Sequence, residues 1–210
     1  MKVDCIGLNC SECCRRYWIT VLPAELKKQA RLMHLSEKKF IEKYCVLHLN
    51  LFPVTVPGKS LVVPSVFLPK KIASRLKRHF EPLPSHFIAL PSIAFKRGKK
   101  GACIFLSNNL CKIYSARPRQ CALFPFISIE KTDLALEYPF CPALKQKRMP
   151  AKKLLEKAQL LNVSRYFESV AKKGFEKVWP ALPSKAVLCL ENNFLCGISK
   201  KDFLKILEFI

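Results

Sequence analysis

The cysteines constrain this chain more than any other feature. Cys5, Cys10, Cys13 and Cys14 fall within the first fourteen residues; Cys103, Cys111 and Cys121 are threaded through the stretch from Gly101 to Pro125, and Cys141 follows. Thiolates that a fold draws together need a cation or a covalent bond to be stable. The stretch from Gly101 to Pro125 mixes β-branched and aromatic positions with turn signals at Asn108-Asn109, Arg117-Pro118 and Phe124-Pro125. It therefore reads as a metal-binding hairpin. The whole chain reads as a carrier of a metal or metal cluster on thiolates.

Composition decides between staples and ligands. The N-terminal residues contain no apolar run long enough for a signal sequence, and no uninterrupted run approaches the roughly 18 residues of a membrane span. A cytoplasmic location is the expectation. Disulfides are rarely maintained there, and eleven cysteines is an odd number for a fully stapled scaffold, so ligation is favoured. Half of the 210 residues are hydrophobic, enough for a buried core. The formal net charge of +22, from 37 Lys and Arg against 15 Asp and Glu, suits an acidic protein, anionic lipid or nucleic acid as partner. The lysines are scattered, which an ordinary solvated surface explains equally well.

Along the chain, Arg15 to Leu22 reads as a short strand. Pro23 opens an amphipathic helix over 23–34 with Glu25 in its first turn, and Ser36 caps a second helix ending near Tyr44 or Cys45. Residues 46–98 are cut by seven prolines into short pieces, with strands expected at Leu61–Val63 and Phe87–Leu90 and a helix between Lys70 and Phe80. Lys96 to Gly101 reads as a solvated basic turn. Strands are expected at Ile127–Ile129 and Leu134–Phe140. Beyond Met149 a long helix carries a Leu154, Leu155, Ala158, Leu161 stripe and stops at Gly174. A last helix starts at Ser199 with Asp202 completing a variant capping box. The expected fold is α+β: a small cysteine-rich metal-binding domain with short strands and flanking helices over 1–145, and a mostly helical C-terminal extension over 146–210. Cys45, Cys189 and Cys196 have apolar neighbourhoods and read as packing thiols. His34, His48, His79 and His86 are isolated and read as surface or core residues.

Which metal is less legible. Zinc Cys₄ sites commonly pair two C-x₂₋₄-C knuckles, yet only Cys5-x₄-Cys10-x₂-Cys13 has such spacing, which is also the C-x₄-C-x₂-C of plant-type two-iron ferredoxins. Zinc, iron and an iron-sulfur cluster all stay open. Adjacent Cys13 and Cys14 do not easily place both thiolates on one ion, so neighbouring ions or a cluster would share the group.

These residues resemble the YkgJ or CxxCxxCC cysteine-cluster family, described as a zinc- or iron-chelating domain with eight recurring cysteines. Its first block matches Cys5, Cys10 and Cys13-Cys14. Its second matches Cys103, Cys111 with Ile113-Tyr114, Arg117-Pro118, Cys121, Phe124-Pro125 and Cys141. Two positions depart: four residues follow Cys5 where the family name implies two, and Ala122 stands where an Arg commonly follows the third cysteine. The resemblance implies that all eight cysteines hold metal, and an Arg beside several thiolates offsets their repulsion, a role that falls to Arg117.

Three functions are compatible with these features. The first is a metal-binding protein chelating zinc or iron. The second is a cluster-dependent protein-modifying enzyme, since a similar cysteine cluster occurs in flagellin lysine N-methylase. The chain, however, has no Gly-rich nucleotide fingerprint and no recognisable triad. The third is a basic nucleic-acid-binding zinc protein, although its aromatics do not concentrate with its basic residues as stacking platforms would.

Overall fold

The computed structural model describes residues 7–54, 61–98, 100–124, 140–142 and 152–210, without the side chains of 152–158. Its first elements obey local signals. A single helical turn, α1 (Glu12–Arg16), extends through the start of the expected first strand, which shrinks to β1 (Thr20–Val21). Pro23 opens α2 (Pro23–Leu32), where Glu25 Oε2 accepts from the Leu22 backbone N–H at 3.0 Å. Ser36 caps α3 (Glu37–Tyr44) by accepting from the Lys39 N–H at 3.3 Å. Phe40 and Ile41 on α3 are fully buried.

The next segment departs from expectation. Instead of proline-cut fragments it holds two ten-residue strands, β2 (Cys45–Val54) and β4 (His86–Phe95), with β3 (Val62–Pro64) and α4 (Lys70–Leu76) between them. β2 and β4 pair antiparallel along their whole length, from Cys45 opposite Phe95 to Val54 opposite His86. Pro91 is tolerated in the middle of β4 for a geometric reason. The outer edge of β4 is shared by β3 at one end and β1 at the other, and the N–H groups of Ala89 and Phe95 point to that edge, donating to Leu61 O and Ile19 O. Pro91 has the same parity and falls in the gap between the two short strands, where no ladder partner calls for an N–H. Its carbonyl points the same way and accepts the Tyr166 hydroxyl at 2.9 Å.

Downstream come a small hairpin of β5 (Leu106–Ser107) and β6 (Leu110–Cys111), then α5 (Arg119–Leu123), the long α6 (Lys152–Lys173), the short α7 (Phe175–Val178), β7 (Ala186–Leu190), β8 (Asn193–Ile198) and α8 (Lys200–Leu207). The fold is α+β, and its mostly helical C-terminal region also supplies two strands. β7 pairs parallel with β2 and antiparallel with β8, giving the order β1-β4-β2-β7-β8 with β3 beside β1 on β4. Gly174, at φ +83°, ends α6 in a conformation that favours glycine. Ser199 caps α8, accepting from the Asp202 N–H at 2.9 Å and donating to its carboxylate at 2.7 Å. On α6, Leu161 is 49% exposed rather than part of the buried stripe; Gln159, Tyr166 and Val170 face inward instead. The side chains of Leu154, Leu155 and Ala158 and the strands expected at 127–129 and 134–139 lie outside the described residues.

The two faces of the sheet differ in chemistry. Cys45, Leu47, Leu49 and Leu51 of β2 are fully buried in the main core, with Phe87, Ala89 and Ile93 of β4. The opposite face carries Val46, Ala94 and Val187 against Trp18, then His48, Asn50 and Ser92, all buried. Ser92 Oγ lies 3.0 Å from His48 Nδ1, and Asn50 pairs with Asn192 in the β7–β8 turn, both donating and accepting, at 2.6 and 3.0 Å. Burial pushes the His48 imidazole down to about 4, from an ordinary 6.5, so it is neutral at pH 7.

Tyr166→Phe should cost about 1–3 kcal/mol, because it strips the buried Pro91 carbonyl of its donor and the Trp179 indole N–H of its 3.2 Å acceptor. A urea midpoint lowered at unchanged slope is the expected measurement. His48 predicts an acid-side instability as well. The unfolded chain binds a proton below pH 6.5 that the folded chain takes only near 4, so stability falls across that window by up to about 3 kcal/mol. His48→Gln should flatten this part of the pH profile.

Candidate metal centre

The first cysteine group is organised by α1. Cys13 and Cys14 lie on this helical turn and Cys10 just before its N-cap Ser11, and all three line one cavity. Two hydrogen bonds to Asn109, with a third bracing the turn itself, tie it to the second cysteine group. Arg15 donates to Ser11 Oγ at 3.2 Å and to Asn109 Oδ1 at 2.7 Å, and Ser11 Oγ donates to the same Asn109 oxygen at 3.2 Å.

Asn109 belongs to the hairpin that presents Cys111. Asn108 and Asn109 have φ of +48° and +61°, the signature of a two-residue type I′ turn matched to the strand twist. The turn fixes Cys111 opposite Leu106. Phe105 anchors the hairpin: it is 1% exposed, with ring centroids 5.8 Å from Phe40, 4.9 Å from Tyr44 and 4.8 Å from Phe95. The Cys103 N–H donates to the Cys14 carbonyl at 2.7 Å, so the two cysteine groups meet backbone to backbone. Cys121 arrives on α5, which is pinned at both Gln120 and Arg119. Gln120 Oε1 accepts from the Thr20 hydroxyl at 2.7 Å, and the Arg119 N–H donates to Glu25 Oε1 at 2.7 Å.

The expected solvated basic turn is a buckle instead. Lys96 Nζ donates to the Glu42 and Lys43 carbonyls at the end of α3, both at 2.8 Å. The Arg97 guanidinium donates to the carbonyls of Tyr17, Gly101 and Arg15, binding the chain just after the first cysteine group to the loop that leads into the second. Sequence reasoning marks Asn109 only as a turn residue and does not single out Arg97 or Gln120, because these roles depend on partners nearly a whole domain away in the chain.

The result is a cavity of about 40 Å³ lined by six thiols: Cys10, Cys13, Cys14, Cys103, Cys111 and Cys121. That is about the space of one or two water-sized atoms. Arg117 lines it too, its guanidinium carbon 4.0 Å from the Tyr114 ring centroid. Among the described residues no three His, Cys, Asp or Glu side chains form a ready-made ligand set. Cys5 lies outside the described residues. Cys141 is buried but is not among the residues lining this cavity; its neighbour Phe140 packs 6.2 Å from Tyr17 and 6.3 Å from Phe124 between ring centroids. Away from this cavity, Cys45, Cys189 and Cys196 are free thiols buried among sheet residues.

The electrostatics divide the thiols. A hydrogen bond from the Cys13 thiol and the charges of Arg117, Arg15 and Arg97 outweigh desolvation and draw Cys14 down from 9.0 to about 7. Burial pushes Cys103 up to about 12 and raises Cys121 well above the ordinary thiol value. A donor set made entirely of sulfur, with one thiol half-ionised at pH 7, suits the softer metals, zinc and iron among them.

A family model described as "Putative zinc- or iron-chelating domain" matches residues 4–142. No curated protein and no solved structure gives a significant match.

In metal-free protein, Cys14 should alkylate first. A short pulse of iodoacetamide read by peptide mass spectrometry should label it with a half-point near pH 7, with Cys103 and Cys121 protected until far more alkaline conditions. Equal labelling of Cys103 and Cys14 at pH 7 would contradict the charge distribution described.

Proposed function

The chain belongs to the CxxCxxCC family, and from that premise we propose that it holds zinc or iron on Cys10, Cys13, Cys14, Cys103, Cys111 and Cys121, with Cys5 and Cys141 completing eight donors. The observation that carries this reading is the gathering of six thiols from α1, the hairpin region and α5 around one cavity. Eight sulfurs are the complement of two Cys₄ sites, whether zinc or iron-sulfur. Adjacent Cys13 and Cys14 favour neighbouring ions or a shared cluster over one ion taking both.

The protein's own groups prepare such a site. Arg117, with Arg15 and Arg97, offsets the negative charge of the thiolates and makes the first deprotonation at Cys14 easy. The buried thiols must each lose a proton to become ligands, so metal uptake releases protons and weakens as pH falls. The metal would cross-link α1, the β5–β6 hairpin and α5, elements of five residues or fewer. Its role is therefore at least structural over 1–145, with 146–210 as the supporting extension. Free thiolates require a reducing compartment, which favours the cytoplasm. The formal charge of +22 supports an acidic protein or nucleic acid as a macromolecular partner.

Cys111→Ser or Cys121→Ser should lose metal and open the first 145 residues to limited proteolysis, whereas Cys189→Ala should keep the wild-type metal content. Elemental analysis with an absorption spectrum of anaerobically purified protein separates the metals: a brown chromophore with acid-labile sulfide means an iron-sulfur cluster, and a colourless zinc-loaded protein means Cys₄ zinc. Protein that retains its full thermal transition and protease resistance after chelation would exclude a structural metal.

A further inference from the structure

A second cavity, of about 360 Å³, lies against the polar face of the sheet, and Cys13 and Cys121 line it as well as the first. Its size is within the range of small-molecule sites, about 300–1,000 Å³. Its walls are largely aromatic and aliphatic, with Trp18, Phe52, Phe124 and Tyr166 among them. His48 and Gln159, 5% and 4% exposed, also line it, and each has one buried polar atom without a partner: His48 Nε2 and Gln159 Oε1. A buried polar atom left unmatched costs about 1–3 kcal/mol, and native proteins keep few of them without a reason.

Gln159 Oε1 is an acceptor, and so is His48 Nε2 in the tautomer protonated at Nδ1. Ser92 Oγ is 3.0 Å from His48 Nδ1 and 3.4 Å from the His48 carbonyl. Both protons are used when Nδ1–H donates to Ser92 and the Ser92 hydroxyl donates to the carbonyl, which leaves Nε2 as a bare lone pair. Gln159 Oε1 is a carbonyl oxygen. Of the other polar walls, Asn50 is engaged with Asn192, and Gln120 Oε1 with Thr20. Among the described residues lining the cavity Glu25 alone is charged, and both of its oxygens accept backbone N–H groups.

We propose that this cavity binds an uncharged, planar aromatic or heteroaromatic compound bearing N–H donors, which the bare acceptors of His48 and Gln159 receive while its ring packs against the aromatic walls. A carboxylate has no donor to offer them and would lose its hydration without gaining a cation. Through Cys13 and Cys121 the bound compound would lie beside the thiol cavity. The proposal is independent of which metal, if any, the thiols hold.

The test uses the full chain as purified, with benzamide as probe and benzoate as its charged, donor-free counterpart, in a saturation-transfer NMR titration. Benzamide should bind saturably and benzoate at least tenfold more weakly. Gln159→Leu should weaken benzamide about tenfold, the loss of one buried hydrogen bond. Because Gln159 is buried, Val163→Trp provides a second probe; this half-exposed helix position lines the same cavity, and the larger ring should abolish binding without disturbing the fold. The proposal is overturned by absence of saturable benzamide binding up to its solubility, by equal affinity for benzoate, or by binding indifferent to Val163→Trp, which would leave a merely water-filled cavity.

Discussion

The bond from the Cys103 N–H to the Cys14 carbonyl is the contact on which the candidate centre depends. It closes a loop of nearly ninety residues, and the entropy of closing so long a loop grows only slowly with its length. What matters is that the two ends are presented at fixed angles. Arg97 does this on one side by gripping three carbonyls around the junction, and the Ser11, Arg15 and Asn109 cluster does it on the other. Removing either brace would leave six thiols that share a domain without sharing a cavity.

The sheet is the platform beneath this junction. Its apolar face is conventional, a run of leucines against helices and Phe residues. Its other face buries His48, Asn50 and Ser92, polar groups that contribute less to stability than apolar residues of the same volume would. All three find partners, His48 and Ser92 with each other across strands and Asn50 in the Glu191-Asn192 turn, where both residues have positive φ. The orphaned acceptor on His48 is the part of this face that internal hydrogen bonding does not explain.

Much of the molecule was legible from local chemistry. Pro23, Ser36 and Ser199 open their helices as their types require, Gly174 closes one, and Asn108-Asn109 turns the hairpin. The cysteine spacing points to the family whose model matches residues 4–142. The long β2 is hidden in the sequence although Leu47, Leu49 and Leu51 alternate with His48 and Asn50, because Pro53 and Pro57 suggest fragmentation. Sequence reasoning ends β4 before Pro91, since only the sheet reveals that this position faces a gap in the ladder. Trp18, Gln159 and Arg97 could not be assigned from sequence, because their functions are defined by which surfaces meet. Leu161 shows the converse: a stripe drawn from one helix alone fixes a period but not which side the rest of the chain will cover.

The parallel pairing of β2 with β7 imposes an order in time. β2 ends at Val54 and β7 begins at Ala186, so during synthesis the inner edge of β2 waits on the order of ten seconds for its partner at ordinary ribosomal speeds. All the described thiols that line the first cavity have left the ribosome before that edge is covered. The nascent chain therefore passes through a stage in which its cysteine region is complete while a long, apolar strand edge stands open, the combination most exposed to mispairing with a neighbouring chain.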